Sequence, residues 1–180
     1  MTINAAQTEH LIQVAKSKGL FMTEALWTRF FPLVKHLTKL LHEERILGNI
    51  LRVVADFSID FTPHGFNHRL YDPNLGGGSL LDLGVYPLTW AFLVLFDDPR
   101  NERTMPVVTA SMMMTSGEGQ DGWKGPVDEH TSVTLTFEKI RATAVLMSNL
   151  SVKTPHGSCV LIQGEKVRDT SGFSLGDGHH

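Results

Sequence analysis

The stretch DPNLGGGSLLDLGVYPL, from Asp72 to Leu88, decides the fold. Asp72-Pro73-Asn74 is turn chemistry. The run Gly76-Gly77-Gly78 follows, and then a strongly apolar segment from Ser79 to about Phe96. Glycines just before a helix permit close backbone approach and leave the helix's first N–H groups exposed. The segment predicts one buried helix. A membrane span needs about 20 mainly apolar residues, and Asp82 and Pro87 interrupt this one.

Working outward from there, the N-terminal side is helical. Asn4 and Gln7 have capping-box spacing, and Leu11, Ile12, Val14 and Ala15 predict a helix that stops near Gly19. Leu20-Phe21-Met22 predicts a short strand. Pro32 is placed to open a second helix carrying Leu33, Leu37, Leu40 and Leu41, with Gly48 ending the segment. Leu51 to Phe61 predicts a strand, and Thr62 to Arg69 a loop. On the C-terminal side, strands are expected at Pro106–Met114, Thr131–Phe137, Ala142–Leu150 and Ser158–Gln163. Gly117 to Gly125 reads as a polar loop, and residues 170–180 as a flexible tail. Strands following helices predict an α+β fold: a mostly antiparallel open sheet with helices on one face. Met112, Met113 and Met114 are expected to fill the core. If the sheet's other face is apolar it needs a cover, and a second copy of the chain would supply one.

Composition narrows the function classes. The 180 residues suit roughly one domain. Hydrophobic residues at 42% and charged residues at 19% are a globular balance. A net charge of -3 argues against nucleic-acid binding, and Cys159, the one cysteine, excludes an internal disulfide framework. The N-terminal stretch has no signal-peptide pattern, so a cytoplasmic protein without a membrane role is expected.

Three groups of residues carry candidate chemistry. Asp82 and Tyr86 sit four apart on the expected helix, where an acid beside a phenol can orient it for proton transfer. Their structural alternative is a first-turn acid and a packed ring. The segment EALWTRFFP, Glu24 to Pro32, sets a carboxylate, an indole and a guanidinium at a strand–helix junction. The structural alternative there is Trp27 and Phe30 in the core with Arg29 paired to Glu24. His64 and His68 lie in a loop with Phe66 and Arg69. Pro63 and Gly65 disfavour a helical metal site, so no metal is expected. Cys159 reads as buried, not nucleophilic. G-x-x-x-x-G-K-[ST] does not occur, and the one G-x-G-x-x-G spacing, Gly117 to Gly122, falls in the polar loop and does not join a strand to a helix.

Taken together, EALWTRFFP, DPNLGGGSLLDLGVYPL and VDEHTSVTLTF (Val127–Phe137) resemble the Gfo/Idh/MocA oxidoreductase family, in its dihydrodiol and NADP-dependent xylose dehydrogenase branch. The resemblance runs from about Asn4 to Gln163. It implies a C-terminal α+β substrate domain whose open sheet mediates dimers. It implies that Asp82 and Tyr86 match the family's substrate and proton-transfer pair, and that Trp27 and Arg29 match residues near nicotinamide and substrate. The family's Glu-Lys-Pro lysine, and a glycine fingerprint between a strand and a helix, are missing from this sequence. Residues 1–30 are therefore expected to be a remnant helix and strand of a Rossmann domain, and residues 31–169 the substrate and dimerisation domain.

The expected function is accordingly a cofactor-independent isomerase, cyclase or lyase acting on a small, largely apolar metabolite in secondary metabolism. Tyr86, Asp82 and Arg29 are its expected catalytic residues; Trp27, His64, Phe66, His68 and Arg69 are expected to bind substrate. The first alternative is a part of an NADP-dependent dehydrogenase, and the second a non-catalytic binding protein. A homodimer through the open sheet is expected in each case.

Overall fold

The computed structural model describes residues 2–155 and 159–166 in full and 173–175 as backbone. Helix α1 is Ala5–Ser17, begun by Asn4, whose side chain accepts from the Gln7 N–H at 3.0 Å. The Gln7 side chain returns a contact to the Ile3 N–H at 3.2 Å. Only Ala15 of this helix is buried. Helix α2, Pro32–His42, starts at its proline and buries Val34, Leu37 and Leu41.

Among the described residues six strands form one sheet: β1 (Ile50–Asp56), β2 (Val107–Met114), β3 (Asp128–Phe137), β4 (Ala142–Asn149), β5 (Val160–Gly164) and β6 (Phe173–Leu175). Their order is β2-β3-β4-β1-β5-β6. The β1–β4 pair is parallel and the other pairs are antiparallel. The architecture is therefore the open, mostly antiparallel α+β sheet that the strand pattern predicts.

Register divides the sheet into two faces. Val108, Leu135, Ala144, Val53 and Ile162 form one cross-strand row, and Ala110, Val133, Leu146, Ala55 and Val160 form the next. Leu37, Leu41, Ala91, Val94 and Leu95 join most of these residues in the main core, so the helices lie on this face. The opposite face carries Thr109, Thr134, Val145, Val54 and Leu161 in register, and no described helix packs there.

Four expectations are corrected. The Leu20–Met22 strand does not form. The sheet's edges are β2 and β6, so this run has no ladder to join, and Leu20 and Phe21 are exposed. Met112, Met113 and Met114 do not fill the core. They lie on the edge strand β2, exposed along its whole length. The Ser79–Phe96 helix is broken into α3 (Ser79–Asp82), α4 (Val85–Ala91) and a π-helical turn, Phe92–Phe96. Pro87 has no N–H for the Leu83 carbonyl, which accepts instead from Tyr86 N–H at 3.1 Å. The longer apolar stretch Pro73–Phe96 has the length and composition of a membrane span, but half of its apolar window is buried inside the protein. Finally, part of the expected tail, Phe173–Leu175, pairs with β5; residues 170–172 and 176–180 lie outside the described residues.

Candidate functional site

The triple glycine places α3. Gly78 has φ +112, and a Cβ there would fall 2.0 Å from Asp128 Oδ1. Asp128 Oδ2 accepts from Leu80 N–H at 2.7 Å, from the Ser79 hydroxyl at 2.8 Å and from the Thr131 hydroxyl at 2.6 Å. A carboxylate from β3 thus already occupies the opening that the glycines create. The turn is not vacant for a phosphate.

The break between α3 and α4 separates the two residues that the sequence groups. Asp82 pairs with Arg69, Nη1 to Oδ1 at 2.8 Å. The Tyr86 ring lies 4.7 Å from that of Phe57, tilted by 56°. No hydrogen bond joins Asp82 to Tyr86 among the described residues.

Tyr86 lines a cavity of about 490 Å³ at the end of β1. Trp27, Phe31, Phe57 and Trp90 supply its aromatic walls. Asp56 and Ser58 also line it, their side chains joined by a 2.5 Å hydrogen bond, with Lys153 and Cys159 at its margin. Trp27, 61% exposed, lines the cavity with its ring tilted against Phe31 at 5.6 Å. Flat aromatic walls with a phenol and a few polar groups suit a small ring-shaped, hydroxyl-bearing ligand.

The other expected site residues lie elsewhere. Arg29 donates to Asp97 at 3.2 Å and does not line the cavity; it pairs with neither Tyr86 nor, as the structural alternative had it, Glu24. Trp27 and Phe30 are exposed, not core. His64 and His68 pack together at 5.2 Å, and His68 stacks on Phe61 at 5.1 Å. The His68 Nδ1 accepts from Leu70 N–H at 3.3 Å, a capping role. Phe66 packs edge-on against Tyr71 and Trp123, away from Tyr86. Sequence reading missed Phe57, Trp90, Asp56, Ser58 and Lys153. Alternation in β1 could have placed Phe57 on the helix face; the others meet only through the tertiary fold. It also missed Asp128, although Val127–Phe137 carries part of the resemblance.

Residues 34–168 match the family model of the GFO/IDH/MocA C-terminal domain, so the chain belongs to the GFO/IDH/MocA family. D-xylose 1-dehydrogenase (NADP(+)) of Hypocrea jecorina is 34% identical over 92% of this chain and 43% of its own length. Trans-1,2-dihydrobenzene-1,2-diol dehydrogenase of Bos taurus is 42% identical over 52% of this chain and 27% of its own. The chain thus spans less than half the length of these relatives. Aldose-aldose oxidoreductase from Caulobacter crescentus, solved with glycerol, superposes with a TM-score of 0.72 at 23% identity, covering 91% of this chain and 44% of that one. A variant 3-ketoreductase from Actinomadura kijaniata, solved with TDP-benzene and NADP, does so with a TM-score of 0.69 at 25% identity, over 91% of this chain and 44% of that one.

These relatives overturn the expectation of a cofactor-independent isomerase, cyclase or lyase, and with it the expectation of no cofactor. The matched enzymes are oxidoreductases, and the xylose enzyme is named for NADP(+). A cavity of this kind suits a dehydrogenase's substrate domain equally well, so its presence does not point to new chemistry.

Proposed function

We propose that this chain is the substrate-binding part of an NADP-dependent dehydrogenase acting on a small ring-shaped polyol or cyclic diol. The observation that carries this reading is the Tyr86 phenol inside an aromatic-walled cavity of about 490 Å³. Indole faces stack on the apolar face of a ring substrate, and a phenol exchanges the proton of the hydroxyl being oxidised. The relatives' names, xylose and dihydrobenzenediol dehydrogenases, support the substrate class.

NADP carries hydride in such enzymes. The residues of this chain do not fit its pyrophosphate: the glycine turn holds Asp128, and the one G-x-G-x-x-G spacing, Gly117 to Gly122, joins strand β2 to strand β3 and opens no helix. A nucleotide-binding domain of the proposed enzyme would hold it. Within the chain, Trp27 and Trp90 orient the ring, Tyr86 moves the proton of the substrate hydroxyl, and the Arg69–Asp82 pair ties α3 to the 62–71 loop. Dimerisation through the helix-free sheet face and a cytoplasmic setting belong to the same reading.

Ring-polyol binding tests it. D-xylose and a cyclic cis- or trans-diol are titrated against tryptophan fluorescence. Saturable quenching, weakened by Tyr86→Phe, is expected. Absence of saturable change with either ligand overturns the proposal.

A further inference from the structure

A second cavity, of about 500 Å³, lies between the 62–71 loop and the inner ends of β2 and β3. Thr62, Phe66, Tyr71, Gln120, Asp121 and Glu129 line it, and it shares no lining residue with the Tyr86 cavity. Its chemistry is acidic. Asp121 accepts from the Asn67 amide at 3.2 Å and Glu129 from the Ser151 hydroxyl. Neither carboxylate pairs with a lysine or arginine among the described residues.

Tyr71 is an independent sign of a ligand. The residue is 5% exposed, yet its hydroxyl has no hydrogen-bond partner among the described residues. The one sealed, unpartnered side-chain polar atom among those residues is Asn101 Oδ1, so the Tyr71 hydroxyl opens onto the cavity. Burial first, then the charges of Glu129 and Asp60, hold its pKa above the ordinary tyrosine value, so it keeps its proton. The Tyr71 hydroxyl and the Asp121 and Glu129 carboxylates therefore face one cavity with hydrogen-bonding capacity left over for a ligand.

The site is also built in advance. Phe66 is fixed edge-on between Tyr71 at 5.4 Å and Trp123 at 5.0 Å. A Cβ at Gly117 would lie 2.5 Å from the Phe66 ring, and one at Gly122 would lie 2.7 Å from the Asn67 side chain. The 115–129 segment closes onto the 62–71 loop because these two positions are glycine.

We propose that this cavity binds an organic ammonium ion, with Glu129 and Asp121 neutralising the charge, the Tyr71 hydroxyl accepting an N–H and the Phe66 ring facing the cation. Carboxylates paired with an aromatic ring recognise ammonium groups. An inorganic cation is the poorer fit: no group of three or more His, Cys, Asp or Glu with metal-holding geometry occurs among the described residues.

The probe is 1,4-diaminobutane, titrated by calorimetry into the purified chain, with calcium chloride in a parallel arm. Saturable amine binding is expected. Glu129→Gln, Asp121→Asn and Tyr71→Phe should each weaken it roughly tenfold, with folding checked by circular dichroism. Tyr86→Phe should leave it unchanged, which separates this site from the polyol cavity. No saturable amine binding, equal affinity in three folded variants, or binding of calcium in place of the amine would each overturn the proposal.

Discussion

Asp128 Oδ2 lies 2.7 Å from the backbone nitrogen of Leu80, so a strand residue caps a helix that is 48 positions away in sequence. This contact sets where α3 begins, and through α3 and α4 it sets where Tyr86 stands. Asp128→Ala removes an acceptor shared by three donors in a buried setting. We expect a loss of about 3 kcal/mol, read as a lower urea midpoint with an unchanged slope. Gly78→Ala should be at least as damaging, because its Cβ meets the same carboxylate at 2.0 Å.

Asp98 gives the fold an acid-sensitive element. Burial alone would raise its pKa. The hydrogen bonds and charge of Arg100, at 2.6 Å between Nη2 and Oδ2, together with His42 outweigh that and hold the carboxyl below its ordinary range. A depressed folded pKa means the stabilisation is complete above the unfolded value, about 3.9. It is lost as pH falls through the folded value. Thermal melts between neutral and acid pH should therefore fall less steeply at the acid end for Asp98→Asn than for the wild type, with the variant less stable near neutrality. Parallel melting curves would refute this.

Arg29→Ala separates structure from chemistry. The guanidinium is held by Asp97 and does not line the Tyr86 cavity. The variant should lose less than about 1 kcal/mol, as for a partly exposed ion pair. Polyol affinity should stay within about twofold of wild type, in contrast to Tyr86→Phe, where a lost hydrogen bond costs roughly 1 kcal/mol, about fivefold. A loss of affinity in Arg29→Ala as large as that in Tyr86→Phe would restore Arg29 to the site.

The helix-free face of the sheet should mediate dimerisation. Val145 stands in the middle of it, in register with Val54 and Thr134. A charge placed there would be buried without a partner in a face-to-face dimer. Light scattering should show a dimer for the wild type and a monomer for Val145→Asp. A wild-type monomer at high concentration would count against this arrangement.

The sequence alone determined the local elements. Asn4 and Gln7 fixed the start of α1, Pro32 the start of α2, and alternating residues set most of the strands, because caps, φ restriction and side-chain period act over a few residues. It also carried the family, through Glu24–Pro32 and Asp72–Leu88. Only the tertiary structure decided the rest. Strand order left Leu20–Met22 without a ladder and placed Met112–Met114 on an edge, since pairing partners are chosen by contacts remote in sequence. Pro87 broke the long helix and sent Asp82 to Arg69 and Tyr86 to Phe57. Asp128 filled the glycine turn that resembled an anion cradle. A side chain's partners are set by what the fold brings within a few ångströms, and sequence spacing reports that distance only within one unbroken element.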